Sequence, residues 1–356
     1  MHKPLVAALF ALLSLSAHAD DALLARPEVQ DYLNQLSTSQ GFDRADLDAL
    51  FARIETKSNI VGILDKPSTS RPWYQFRENF IEKNRIIGGA RFMRRYKSTL
   101  DEVAARYGVP AEVITSIIGC ETLYGRNTGS FRVLDALTTI AFDYPRRADF
   151  FKNELTEFLL LAREEQEDPL SFMGSYAGAM GWPQFMPSSF RKYAVDWNGD
   201  HHRDIWGTPE DAIASVANFL VAHGWQKGGP IMQPANVGGD EIAGLLADKF
   251  NLHYTVGELM QKGVAPLAEA DAKQQAVLFA LETEPGFTRH YLGYANFYAI
   301  TRYNRSTLYA SAVTGLADAI RDAYAEEKDL APPPTAKPQN TAKPVKQAKP
   351  AARRKG

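Results

Sequence analysis

Glu121 and, well downstream, the alternating oxygen side chains of Asp196, Asn198 and Asp200 are the positions whose type and spacing could do chemistry. In PAEVITSIIGCETLYG, Val113, Ile114, Ile117 and Ile118 recur at helical spacing, and Glu121 lies three and four positions beyond Ile118 and Ile117. It therefore continues the apolar face. A carboxyl held against apolar surface resists ionisation, so its pKa rises toward the range a general acid needs, as in glycosidases. The competing reading is a glutamate at a helix C-terminus, exposed or paired with Arg126 or Arg132. In Asp196-x-Asn198-x-Asp200, successive odd positions point inward, the spacing by which a short loop wraps a hard cation. The carbonyl of His202 extends the series, and Asp211 or Glu210 supplies a closing carboxylate. The loop is longer than the twelve-residue calcium loop, since His201 and Gly207 stand where that loop has Gly and Glu. An exposed acidic loop without metal is the alternative.

Between these features runs GSYAGAMGWPQFMPSSF (174–190). Small residues between aromatics mark close packing, with Met173, Met180 and Met186 as gap fillers. Ser175 and Gln184 are polar in this apolar stretch and could face a polar ligand. Arg146 and Arg147 follow Tyr144-Pro145, either as a solvated helix start or as a pair of guanidiniums that grips carboxylates. Tyr303, Asn304 and Tyr309 lie in an aromatic-rich helix start and read as core unless a cleft is near. The histidines lack zinc spacing, and no GxSxG, P-loop or dinucleotide fingerprint occurs.

These groups must be positioned by a mainly helical chain. Pro27 opens one helix and Asp43 caps a second through Ile54. Arg77–Arg106 reads as helices interrupted by Gly88-Gly89. Gly108 stops one helix before Pro110 starts the next, and Asn153–Glu165 and Thr208–Ala222 are further helices. From Gly224 to about Pro285, Gly-Gly pairs and β-prone pieces (253–256 and 276–282) predict a small mixed unit, and Tyr298–Tyr324 returns to helix.

With 356 residues, 45% of them hydrophobic, the chain can bury a large core and has room for more than one domain. Its net charge of −2 provides no overall basic field for nucleic acid. The balance is uneven: residues 331–356 carry seven Lys and Arg and no acid, which leaves −9 on the remainder. That Pro/Ala/Lys tail is expected to be disordered. At the other end, Leu5–Leu15 is an apolar run followed by Ala17-His18-Ala19, a signal peptide cut after Ala19. No Cys near that cut could take a lipid, and Cys120, alone in the chain, forms no internal disulfide. The expectation is a periplasmic protein that does not span the membrane.

Taken together, IIGCETLYGR (117–126), FDYPRRADFF (142–151), the 174–190 segment, the Asp196 loop with its following helix and FYAITRYNRSTLYA (297–310) resemble the lytic murein transglycosylase B family. The resemblance runs in order from about residue 25 to 325. It implies an α+β protein with a lysozyme-like helical catalytic core (106–223) that includes the calcium loop (196–211). A helical domain (20–105) and a small β-containing subdomain (224–296) flank the core, a C-terminal helix (297–328) completes the cleft, and the tail (329–356) follows. The implied activity is cleavage of the β-1,4 bond between N-acetylmuramic acid and N-acetylglucosamine in peptidoglycan, without water, leaving 1,6-anhydromuramic ends. Glu121 matches the catalytic acid and base, and Ser175 a Ser that hydrogen-bonds and orients it. Gln184, Arg147, Tyr303, Asn304 and Tyr309 match cleft residues around the sugars. Asp196, Asn198, Asp200, the His202 carbonyl and Asp211 match the ligands of a structural Ca2+, with one extra residue between Trp206 and Asp211. Phe219 stands where a cleft Tyr is usual. The partners implied are peptidoglycan glycan strands and other cell-wall enzymes, for a monomer. Two alternatives stand beside this: a hydrolytic muramidase using a second carboxylate such as Asp143, and a non-catalytic, calcium-stabilised peptidoglycan-binding protein.

Overall fold

Capping residues mark several helix boundaries. The computed structural model describes residues 21–65 and 71–326. The expected signal peptide and the Pro/Ala/Lys tail lie outside the described residues. Asp43 caps the Arg44–Phe51 helix by accepting the Asp46 N–H at 3.0 Å. Gly108, at φ 71°, stops the Lys97–Tyr107 helix, and Pro110 precedes the Ala111–Thr122 helix. Beyond shifts of a few residues, with the Asp43-capped helix ending at Phe51 rather than Ile54 and the helix expected from Asn153 starting at Ala148, two expected boundaries differ. Gly88-Gly89 does not interrupt a helix, because Lys83–Arg95 runs through both. Glycine is a poor helix former, but here the missing Cβ atoms admit neighbours: one on Gly89 would lie 2.5 Å from Ile320, and one on Gly88 2.8 Å from Tyr124. The second is the C-terminal helical region, which is two helices, Ala295–Tyr303 and Thr307–Glu326, parted at Asn304 where the backbone is extended.

One apolar cluster extends from Leu23 to Ile320 and includes Val113, Ile114, Ile117 and Ile118 of the Ala111–Thr122 helix, all essentially buried. That helix packs against Lys83–Arg95, Thr307–Glu326 and Pro209–Ala222, and its buried Ser116 hydroxyl donates to the Val313 carbonyl at 2.7 Å.

Two β1–β2 strands, Phe131–Arg132 and Met173–Gly174, form a short antiparallel ribbon. The remaining strands are β3 (Met232–Val237), β4 (Tyr254–Thr255), β5 (Val264–Pro266), β6 (Gln275–Glu284) and β7 (Phe287–Tyr294). They make a five-stranded antiparallel sheet in the order β4-β6-β7-β3-β5. Leu278 on β6 sits opposite Leu292 on β7 and buries with Val256, Leu259 and Leu245 in a second, smaller cluster. The β-prone pieces read from the sequence thus fall in β4 and β6.

Asn296 fastens this sheet to the helical body. Its buried amide accepts the Gln226 N–H at 2.6 Å and donates to the carbonyls of Gln226 and Gly229 at 2.9 and 2.8 Å. Truncating it strands three backbone groups, each costly if left unpaired. Asn296→Ala is expected to destabilise the protein by about 2 kcal/mol, measured as a lower denaturant midpoint at an unchanged slope. A midpoint shift below about 0.5 kcal/mol equivalent would mean that water replaces those bonds.

Candidate active site

Glu121 occupies the last turn of the Ala111–Thr122 helix. The helix ends abruptly, with Leu123, Tyr124 and Gly125 at φ 52°, 62° and 80°. Across from it, in the first turn of Thr307–Glu326, the Tyr309 hydroxyl donates to Glu121 Oε1 at 2.5 Å. Burial pushes the Glu121 carboxyl up to about 7 from an ordinary 4.5, and the Tyr309 bond pulls it partly back. Among the described residues no basic side chain pairs with it. Arg132, one of the two partners considered, instead holds the buried Asp135 at 2.7 Å and approaches Glu55 at 3.8 Å, while Arg126 forms no ion pair among the described residues. Burial and the Glu121 charge hold the phenols of Tyr303 and Tyr309 far above their ordinary range. Burial likewise pushes the adjacent Cys120 thiol up to about 12, so it stays protonated.

A tightly folded wall lies beside the end of the Glu121 helix. The Ser175 N–H donates to the Ala179 carbonyl at 2.8 Å, and Met180 and Phe185 bridge each other. Met180, Trp182 and Phe185 are buried, so Met180 is a gap filler, whereas Met173 is exposed. Tyr303 donates from its hydroxyl to the Pro183 carbonyl at 2.7 Å and packs its ring against Phe219, 4.7 Å between centroids. Gln184 adopts φ 51° and donates its amide to the carbonyls of Thr128 and Gly181 at 3.2 and 3.0 Å. Ser175 Oγ accepts the N–H groups of Ala177 and Ala179 at 3.2 and 3.0 Å. The hydrogen-bonding side chain on Glu121 among the described residues is Tyr309, not Ser175.

The structure therefore gathers Glu121, Tyr303 and Tyr309 with the Pro183–Gln184 turn. Arg147 and Asn304 are exposed, with the Arg147 guanidinium 4.4 Å over the Phe150 ring. Arg146 pairs with Asp65, and Asp143 with Arg26 at 2.6 Å. Sequence reasoning passed over Thr122. Its hydroxyl donates to the Trp182 carbonyl at 3.0 Å and accepts the Gly125 N–H at 3.0 Å, tying the end of the Glu121 helix to the wall. A threonine on a helical stripe gives no sign of such a partner.

In the downstream loop, each odd position accepts a backbone N–H. Asp196 takes those of Gly199 and His201 at 2.7 and 2.9 Å, Asn198 that of Asp200 at 3.0 Å, and Asp200 that of His202 at 2.9 Å. Fully buried Asp211 accepts the N–H groups of Trp197 and Asp204 at 2.8 and 2.9 Å. Burial, with the Asp196 charge adding to it, raises the Asp211 carboxyl to about 6. The candidate donors are all oxygen, the ligand type a hard cation takes. No cluster of three or more acidic, His or Cys side chains stands ready to hold a metal among the described residues, so the fit depends on Asn198 and the His202 carbonyl as well as the acids.

A family model described as the transglycosylase SLT domain matches residues 25–318. The chain belongs to that family. It is 41% identical over 304 residues to the membrane-bound lytic murein transglycosylase B of Escherichia coli, a match covering 83% of this chain and 82% of the relative. Among solved structures it resembles the soluble lytic transglycosylase SltB1 of Pseudomonas aeruginosa, at 44% identity and TM-score 0.79, covering 84% of this chain and 100% of that one. It also resembles the Escherichia coli lytic transglycosylase Slt35 in complex with calcium, at 41% identity and TM-score 0.76, covering 84% and 94%. The expected lysozyme-like α+β fold stands with the family, as does the expected activity, peptidoglycan cleavage by a lytic transglycosylase. No helix of the described residues is long and apolar enough to cross a membrane.

The raised carboxyl has a stability signature. Between pH 4.5 and about 7, Glu121 holds a proton in the folded state that the unfolded chain has lost. Its contribution is therefore fully present below pH 4.5 and is lost as pH rises through about 7. Melting temperatures of the wild type and Glu121→Gln, compared across this range, should diverge in favour of the variant as pH rises and then run parallel. A difference independent of pH would place the carboxyl in water.

Proposed function

We propose that this enzyme cleaves the MurNAc-β-1,4-GlcNAc bond with Glu121 as both acid and base, and that no water enters the product. The observation that carries the reading is one carboxyl, neutral up to about pH 7, with a tyrosine hydroxyl on it and no second carboxylate bonded to it. Two-carboxylate glycosidases place a second acid across the bond. Asp143, the residue considered for that role, is engaged by Arg26, which disfavours the hydrolytic alternative.

In the proposed cycle, protonated Glu121 gives its proton to the glycosidic oxygen as the bond from C1 to that oxygen breaks. The N-acetyl carbonyl of the muramyl sugar supports the positive charge developing at C1. Glu121, now a carboxylate, is stabilised by the Tyr309 hydroxyl. It then removes the proton from the muramyl O6 hydroxyl as O6 bonds to C1, closing the 1,6-anhydro ring and restoring the acid. Holding O6 against C1 makes this step unimolecular, which favours it over attack by water. Ser175 shapes the turn opposite, while Gln184, Arg147, Tyr303 and Asn304 border the glycan. The compartment in this reading is the periplasm, reached through the signal peptide.

Calcium belongs to the same reading. A relative is solved with it, and Asp196, Asn198, Asp200, the His202 carbonyl and Asp211 are the groups that would hold it here. A bound Ca2+ would supply charge compensation for these carboxylates and no step of the chemistry. The loop braces the wall directly, since the Ile205 carbonyl accepts the Trp182 N–H at 2.9 Å.

Glu121→Gln is expected to lower turnover on purified sacculi by about 10³-fold or more while the protein still binds glycan. Mass spectra of wild-type products should be dominated by anhydromuramyl ends; products one water heavier would establish hydrolysis instead. Tyr309→Phe removes the bond that favours the carboxylate, so the basic limb of its pH–rate profile should move upward from about 7. Chelation should lower the melting temperature, since a ligand at a hundredfold excess over its Kd contributes about 2.7 kcal/mol, yet leave turnover at low temperature largely intact. Immediate, complete loss of activity at every temperature would put the metal on the substrate.

A further inference from the structure

The chain leaves the Glu121 helix through three successive residues in the left-handed region, Leu123, Tyr124 and Gly125. Two of them carry side chains, and such conformations persist only where the surroundings over-determine them. The surroundings here are specific to Tyr124. Its ring lies in a hollow made by three glycines on two helices. A Cβ on Gly88 would lie 2.8 Å from the ring, one on Gly89 2.8 Å from the phenol oxygen, and one on Gly119 2.7 Å from both. At the bottom of the hollow the Tyr124 hydroxyl donates to the Arg85 carbonyl at 2.6 Å. Arg85 returns a bond of its own, donating from Nη1 to the Gly119 carbonyl at 3.2 Å. Gly119 sits two residues before Glu121 and Tyr124 three after, so the ring wedges the Lys83–Arg95 helix against the turn that bears the carboxyl.

We propose that Tyr124 is a positioning residue for Glu121, a wedge that fixes the rotation of the last helical turn so that the carboxyl meets Tyr309. The proposal rests on the reading of Glu121 as the acid. A helix turned or shifted there would move Glu121 away from Tyr309, which stands on a different helix, whereas Gln184, held on the Thr128 and Gly181 carbonyls, and the exposed Arg147 and Asn304 make no bond to that turn. Displacements of about 1 Å at a reacting group can cost on the order of a hundredfold in rate. Tyr124 would therefore act on turnover and not on glycan affinity.

The test compares Tyr124→Phe, which keeps the ring and removes the Arg85 bond, with Tyr124→Leu, which empties the hollow. Steady-state kinetics on soluble uncross-linked glycan chains are taken well below each variant's melting transition. The expected result is a kcat lower by about tenfold in Tyr124→Phe and about a hundredfold in Tyr124→Leu. KM should stay within about twofold of wild type, and the basic limb of the pH–rate profile should shift as the Glu121–Tyr309 bond loosens. Should Tyr124→Leu fail to fold, Tyr124→Phe decides alone. An unchanged kcat in a folded variant, or a raised KM at constant kcat, would overturn the proposal. Glu121→Gln, assayed alongside, separates the two readings. An inactive Glu121→Gln beside a fully active Tyr124→Phe rejects the wedge alone, whereas an active Glu121→Gln rejects the acid itself.

Discussion

The site turns on one carboxyl whose ionisation its surroundings oppose. Glu121 sits half-buried at the end of a helix buried along Val113, Ile114, Ile117 and Ile118, where apolar packing limits the water that would favour its charge. The negative end of the helix dipole acts in the same direction. One bond opposes them, from Tyr309, and it keeps the group within reach of neutrality. That balance would collapse if a guanidinium reached the carboxylate.

Charge elsewhere is disposed accordingly. Arg132 is held by Asp135, Arg26 by Asp143 and Arg146 by Asp65. Buried Glu154 takes the backbone and hydroxyl of Ser188 at 2.9 and 2.7 Å, so it too is satisfied without a cation. Arg85 spends a donor on the Gly119 carbonyl near the helix end. Arg132, Arg26, Arg146 and Arg85 thus have partners of their own, and no guanidinium among the described residues pairs with the Glu121 carboxyl.

The wall beside that helix end is built by backbone rather than by side-chain chemistry. Ser175 and Gln184 bond to main-chain groups and so hold a glycine-rich path in shape. The cation loop reaches this wall through Ile205 and Trp182, and the Glu121 helix reaches it through Thr122 and the same tryptophan. Trp182 is therefore the common strut between the acid, the wall and the loop. Phe219, in place of the tyrosine expected in the cleft, contributes an aromatic face against Tyr303 and Phe185 but no hydroxyl.

Local pattern carried the reading of this chain a long way. Helical spacing alone put Glu121 on an apolar stripe, alternate oxygens marked the Asp196 loop, and Asp43 and Gly108 marked helix ends, because each depends on neighbours a few residues apart. The ordered motifs from residue 25 to 325 carried the family. What only the tertiary structure decided is who meets whom. Tyr309, 188 residues from Glu121 in sequence, became its partner, while Arg132, eleven positions away, was taken by Asp135. Gly88-Gly89 looked like a break because local propensity says so, yet the helix continues, since a ring and an isoleucine from distant segments need the space. Periodicity reports which face of an element is buried, but the groups that come to cover that face are chosen by packing across the whole chain.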